Sequence, residues 1–442
     1  MSARQHSPGG FGAFVRAAAD RGDLVVQPRM GFGDPAQMRA GLAATRRAGH
    51  ATVGTITLDS YTRVGDLAAV SRALADGALL NGYPIASHDL SVTRAMLDGI
   101  RGPGFPVQVR HGSATPHHIF DALIRLGLDV TEGGPVSYCL PYGRTPLAES
   151  VANWARCVDR FAALRERGVE PHLETFGGCL LGQLCPPSLL VAISVLEALF
   201  FCRYGIRSVS VSYAQQTNLA QDLEAVGALR RLCAELLPTT DWHTVIYTYM
   251  GLYPATDDGA IRLLGHSARL AVYSGSERLI VKTVAESRRI PTVKENVAAL
   301  RYAGSFASSD VVPLPFGDDS EVYQEARQII EAVLGLHAEI GQALLLAFGK
   351  GYLDVPYCLH PDNRGRTRGY VAADGRLRWS DTGALPVRRP VRDDGRRVTS
   401  AGLLADLSYV RRTYDGPASG TPRPAAVEGD SADDWRFALT SW

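Results

Sequence analysis

The sequence predicts an α/β fold: a (β/α)8 TIM barrel over residues 21–310, then a smaller α+β region over 311–412 and a flexible tail over 413–442. Residues 1–20 form a short segment ahead of the barrel. Three observations carry this reading. Short apolar or β-branched runs alternate with longer stretches of helical period, the pattern of parallel strands joined by crossover helices. The alternation repeats about eight times, the number that closes a barrel. Finally, no glycine fingerprint follows the first run, as an open dinucleotide-binding sheet would require.

In order, the strand-like runs are Leu24-Val25-Val26, Ala51 to Thr57, Ala78-Leu79-Leu80, Pro106 to Val109, Leu128-Asp129-Val130, His172-Leu173, Ser208 to Ser212, Val245-Ile246-Tyr247 and Leu279-Ile280-Val281. The segments between them are amphipathic. From Pro146 to Arg167, for example, Trp154, Cys157, Val158, Phe161 and Leu164 fall on one face, as a helix over a core demands. Leu189 to Cys202 is the most apolar stretch, too short to span a bilayer and interrupted by Glu197; it reads as a buried helix closed at Gly205 by a left-handed cap. Ser320 to Phe348 reads as one long helix, and Asp415 to Asp434, rich in Pro, Ala, Ser and Gly, as mobile chain.

Bulk properties exclude several functions. The 442 residues carry 46 Lys and Arg against 45 Asp and Glu, so no global field draws the chain to nucleic acid or anionic membrane. Seven scattered cysteines without tight spacing fit neither a disulfide framework nor a metal knuckle. Met1 to Gly10 has no apolar core of a secretory signal, so a cytoplasmic location is expected.

Catalysis in such barrels occurs where strands end. The runs are followed by Gln27-Pro28-Arg29, by Asp59-Ser60-Tyr61-Thr62-Arg63, by Asn81-Gly82-Tyr83-Pro84 and by Arg110-His111-Gly112. Further along come Glu132-Gly133-Gly134, Glu174-Thr175-Phe176 and Lys282-Thr283. Arginine at three strand ends suits a small substrate with more than one carboxylate, because guanidinium grips carboxylate through paired hydrogen bonds. Glu132 and Glu174 would meet an ammonium group. A desolvated Lys282 could act as a Schiff-base nucleophile or as a hydrogen-bond donor; the residues alone leave both open.

These strand ends, with Leu79-Leu80-Asn81-Gly82-Tyr83-Pro84, Ser137-Tyr138-Cys139-Leu140-Pro141-Tyr142, Met250-Gly251-Leu252-Tyr253-Pro254, Ile280-Val281-Lys282-Thr283 and Ile290-Pro291-Thr292, resemble the epsilon (large) subunit family of glutamate mutase, or methylaspartate mutase, in order from about residue 20 to about 300. The resemblance implies an isomerase, an adenosylcobalamin-dependent carbon-skeleton mutase interconverting L-glutamate and 3-methylaspartate by a radical mechanism. It implies that Arg29, Arg63 and Arg110 form an arginine claw on the substrate, with His111, Tyr138 and Tyr142 beside it. Glu132 would face the amine and, with Tyr142 and Lys282, serve catalysis. Asn81, Phe176, Lys282 and Glu286 would contact the cofactor. The cobalamin motif Asp-x-His-x-x-Gly is absent from the chain, so the resemblance places the cobalt-ligating histidine on a small sigma subunit, in a heterotetramer built on a homodimer of large subunits.

The chain departs from the family at Tyr247, where a histidine is usual, at Arg278, which replaces a lysine, at Pro135, and at Gly177-Gly178-Cys179-Leu180. These departures keep two other readings open: a binding or scaffold barrel without activity, and a lysine-dependent aldolase or lyase.

Overall fold

The computed structural model describes residues 10–141, 143–180, 184–307, 320–388 and 399–416. Eight strands, β1 (Val25–Pro28), β2 (Gly54–Thr57), β3 (Val107–Arg110), β4 (Val130–Gly133), β5 (His172–Thr175), β6 (Ser208–Ala214), β7 (Asp241–Tyr247) and β8 (Arg278–Val281), form one sheet in the order β1-β8-β7-β6-β5-β4-β3-β2. All of their pairings are parallel. The two ends meet through a parallel bridge between Val26 and Thr52, with Val26 N–H donating to the Ala51 carbonyl at 3.0 Å. The sheet is therefore a barrel, and a helix follows each strand back over its outside.

The strands explain their own alternation. Val26, Ile56, Val109, Leu173, Val211, Ile246 and Leu279 belong to the core shared with the surrounding helices. The alternate positions, including Gln27, Thr55, Gln108, Glu174, Ser210 and Arg278, are buried and polar. Below this polar layer the helix Phe11–Ala19 closes the amino-terminal end, packing Phe11, Val15 and Ala18 on Val25, Val53 and Val130.

The helix Pro187–Arg203 is buried along nearly all its length, because the helices Leu219–Leu236 and Glu321–Leu334 flank its outer side. Gly205 behind it has φ +96°, the expected left-handed stop. Among the described residues no helix is long and apolar enough to cross a membrane.

Three expectations are corrected. Ala78-Leu79-Leu80 is not a strand: Leu79 is 96% exposed on a loop, and the third strand is β3. The stretch 320–348 is two helices, Glu321–Leu334 and Ile340–Lys350. The break falls where Glu339 turns its carboxylate onto the Gly341 and Gln342 amides, capping the second helix. Asp415 is anchored, accepting from Ala255 N at 2.9 Å and Thr256 N at 3.0 Å; from residue 417 the tail lies outside the described residues. The α+β region contributes a hairpin of β9 (Arg368–Val371) and β10 (Leu377–Asp381).

Candidate active site

The barrel axis carries two stacked ion pairs. The lower joins Arg278, the first residue of β8, to Glu174 in β5, both without solvent exposure. Arg278 also donates to Gln27 Oε1, Ser210 Oγ and His243 Nε2, and the Phe11 ring lies 5.0 Å below it. A buried cation is tolerated only when its donors are this fully used.

The upper pair lies at the strand ends. Arg110 closes β3 and donates through Nε to Glu132 Oε2 at 2.7 Å; both side chains are buried. Glu132 sits beside Arg110 because β3 and β4 are in register there. Its other oxygen accepts from the Tyr138 hydroxyl, and Oε2 lies 2.8 Å from the Tyr247 hydroxyl, whose one proton is shared between Glu132 and Glu174. Tyr138 is delivered by a turn that a further carboxylate organises. Glu197 of the buried helix accepts from Val136 N at 3.2 Å, from Ser137 N at 2.8 Å and from Ser137 Oγ at 2.9 Å. Burial pushes the Glu197 carboxyl up to about 7 against the pull of those donors.

A second cluster gathers at the β8 and β1 ends. Arg29 Nη1 lies 3.6 Å from Glu286 Oε2. Lys282 Nζ sits over the Tyr253 ring at 4.8 Å. Burial, reinforced by Arg29 and opposed by Glu286, pushes Lys282 down to about 7. The Tyr253 hydroxyl is buried without a hydrogen-bond partner among the described residues.

A third group belongs to the β2 and β3 ends. Arg63 lies in the short helix Ser60–Val64, which Asp59 caps through Thr62 N at 2.9 Å. Among the described residues Arg63 forms no ion pair; its Nε reaches only the Asp59 carbonyl at 3.4 Å. His111 stacks on Trp154 at 5.8 Å and meets Tyr138 edge-on at 5.1 Å. Among the described residues its Nε2 is buried and unpartnered, as are Asp59 Oδ2 and the hydroxyls of Thr57 and Thr62. Burial, then His118 and Arg63, push His111 down to about 3, so its imidazole is neutral. Orphaned polar atoms this concentrated mark a place where a polar ligand completes the bonding.

Thus Arg110, Glu132, Tyr138 and His111 are brought together, and so are Arg29, Lys282 and Glu286. Phe176 joins the first group, its ring 5.1 Å from Tyr138. Asn81 is exposed and accepts from Ser60 N at 3.0 Å, bracing the helix that carries Arg63. Tyr142 lies outside the described residues. Glu174 does not stand free at its strand end: it is fully buried, pairs with Arg278 and touches the Tyr247 hydroxyl.

A family model described as "Methylaspartate mutase E chain (MutE)" matches residues 8–401. The chain belongs to this family. A relative from Haloarcula marismortui named "Glutamate mutase epsilon subunit" is 31% identical over 428 residues, covering 92% of this chain and 86% of its own. Proteins of the same name from Desulfitobacterium hafniense (29%; 91% and 88% covered) and Escherichia coli O157:H7 (29%; 80% and 79% covered) are similar over most of their lengths.

The sequence did not point to Tyr253, Glu197 or the bonding of Tyr247 as parts of the site. Glu197 had a signal, a single acid in the most apolar helix. Tyr253 lay within the run Met250 to Pro254 that carries the resemblance, but nothing in it singled out the hydroxyl. The glycine departure is steric: a Cβ on Gly178 would lie 1.7 Å from the Ser212 carbonyl oxygen, and one on Gly177 2.7 Å from Ser194 N, so this segment rides directly on β6 and the buried helix.

Proposed function

We propose that this chain is the large, substrate-holding subunit of an adenosylcobalamin-dependent isomerase that interconverts L-glutamate and 3-methylaspartate. The observation that carries the reading is the buried Arg110–Glu132 pair at the barrel mouth, flanked by Tyr138 and by orphaned polar atoms of β2 and β3. Arg29, Arg63 and Arg110 bind the two carboxylates, because guanidinium offers a planar fork to each. Glu132, held by Arg110, by Tyr138 and by the Tyr247 hydroxyl it shares with Glu174, accepts a hydrogen bond from the amine and can take its proton. Neutral His111 offers Nε2 to the substrate, and Tyr138 and Tyr142 line the pocket.

The residues present fit the cofactor. The unpartnered Tyr253 hydroxyl beside Lys282, Glu286 and Arg29 is a polar cradle for hydroxyl groups such as those of a ribose, with Asn81 and Phe176 toward the remainder. Adenosylcobalamin, when bound, supplies the carbon-centred radical that this chain's own side chains cannot generate. The chain's part is to hold the substrate and exclude water from a dry pocket.

Exposed apolar side chains support a covering partner: Val64 at the end of the short helix, and Leu79, Leu252, Ile290 and Leu359 outside helices and strands, are 66%, 96%, 41%, 54% and 96% exposed. That partner is the small cobalamin-binding (sigma) subunit, which contributes the cobalt-ligating histidine, in a cytoplasmic heterotetramer containing two large subunits. The test mixes the chain with the small subunit of a working relative, adenosylcobalamin and glutamate. Methylaspartate formation is expected. Its absence, with a partner that is competent alongside its own large subunit, refutes the proposal and leaves the scaffold reading.

One observation favours a second reading. Lys282, buried and pushed down to about 7, has the availability of a Schiff-base lysine. Borohydride trapping of a carbonyl substrate on Lys282, without cobalamin, is the result that would support an aldolase or lyase.

A further inference from the structure

Tyr247 ends β7, is fully buried, and is the only side chain that touches both ion pairs of the axis among the described residues. We propose that Tyr247 is a positioning residue that floors the substrate pocket, fixing Glu132 and sealing Glu174 beneath it so that Glu132 alone meets the substrate amine. The inference rests on the proposed glutamate-binding function and adds to it the origin of amine selectivity.

The geometry supplies both halves. The hydroxyl contacts Glu132 Oε2 at 2.8 Å and Glu174 Oε1. The ring is held in place beside them: the Arg110 guanidinium lies 5.0 Å from its centroid, and Phe176 meets it edge-on at 5.5 Å. Beneath, Glu174 is already satisfied by Arg278, by Gln108 Nε2 at 3.2 Å and by Ser210 Oγ at 3.0 Å. Two carboxylates open to one pocket would repel the carboxylates of a diacid. Arg278 neutralises Glu174 from below and the uncharged Tyr247 phenol covers it, which leaves Glu132 as the carboxylate that faces the ligand. Losing the hydroxyl frees Glu132 to turn about its remaining contacts with Arg110 and Tyr138, while Arg110 loses only a long contact at 3.4 Å, so the amine contact weakens far more than the carboxylate contacts.

The experiment compares glutamate with glutarate, the same diacid without the amine, in the complex with a relative's small subunit and adenosylcobalamin. In Tyr247→Phe, KM for glutamate should rise about tenfold, the scale of one hydrogen bond to a charged group, and the inhibition constant of glutarate should change far less, by under about twofold. A merely structural role would move both together. Equal changes, or none, overturn the inference. Glu132→Gln provides an independent arm, read by glutamate and glutarate binding in the same complex. With Glu174 sealed, the preference for glutamate over glutarate should vanish; a preserved preference means Glu174 reaches the amine and overturns the seal. Failure of the underlying function looks different: the unsubstituted complex then neither binds nor converts glutamate.

Discussion

Replacing Arg278 by methionine removes one partner of a fully buried ion pair and leaves the Glu174 carboxylate uncompensated in the barrel. Breaking such a pair from one side destabilises by about 3–5 kcal/mol. Against a total of roughly 5–15 kcal/mol, that is a large share of the fold's stability. The partial compensation still available to Glu174, from Tyr247, Gln108 and Ser210, places the expected loss near the lower end. Glu174→Gln alone strands the guanidinium in the same way. In the double variant neither charge is buried, so the two losses should not add: the coupling energy should reach about 2 kcal/mol. Urea unfolding reads this out as a lowered midpoint at unchanged slope. The pair also gives a pH signature. Burial pushes the Glu174 carboxyl up, but Arg278 and the Tyr247 hydroxyl pull it further down, to a net position below the ordinary carboxylate range. A depressed carboxylate contributes stability above its unfolded pKa and loses it as pH falls through the folded one. Wild type should therefore lose this contribution on acidification below about pH 4, and Glu174→Gln should not. A cost under about 1 kcal/mol for Arg278→Met, or strict additivity, would refute the account of the lower pair.

Arg110→Lys keeps the charge but loses the fork; kcat/KM for glutamate should fall about 10- to 100-fold, the range of charged hydrogen bonds, with little change in melting temperature. Lys282→Met removes a buried ammonium whose pKa is pushed down to about 7. Near pH 6 the lysine is charged in both states and the variant should be the more stable. Its advantage should shrink as pH rises from about 7 toward the ordinary lysine value; a pH-independent gap in thermal melts would contradict the burial. Gly178→Ala places a methyl group 1.7 Å from the Ser212 carbonyl oxygen, so it should destabilise by several kcal/mol, about 3 or more, and an unchanged melting temperature would show that the segment yields freely.

Much of this was legible because barrels write their topology in period. Outward positions of the strands are apolar and the connecting helices are amphipathic, so eight of the nine runs read as strands are strands, and Arg29, Arg110, Glu132 and Lys282 stand where the runs stop. Two errors have physical causes. Ala78-Leu79-Leu80 imitates a strand because its leucines are apolar, yet Leu79 is exposed on a loop near the barrel mouth; hydropathy cannot tell a core residue from one in such a place. Glu174 resembles Glu132 in sequence, each closing a short apolar run. Only the third dimension shows that Arg278, more than a hundred positions away, neutralises one and Arg110 the other. Contacts of that sequence separation leave no local trace, and for the same reason the Glu197 hold on the Tyr138 turn was invisible.

The two stacked pairs also bear on what the mouth can hold. Arg278 with Glu174 and Arg110 with Glu132 are each neutral as pairs, so neither contributes net charge at the strand ends. Beyond them Arg29 faces Glu286 and Arg63 stands without an acid. With Lys282 neutral the side chains proposed for the site thus carry one net positive charge, and with Lys282 protonated, two. Glutamate carries one net negative charge and its amine-free analogue two. A lysine that burial pushes to about 7 therefore lets the pocket match the amino acid above neutrality and favours the dianion below it. The glutamate-to-glutarate binding ratio should rise with pH across this range and lose that slope in Lys282→Met. A flat ratio in the unsubstituted protein would mean that Lys282 stays in one protonation state and that the charge match is set by the arginines alone.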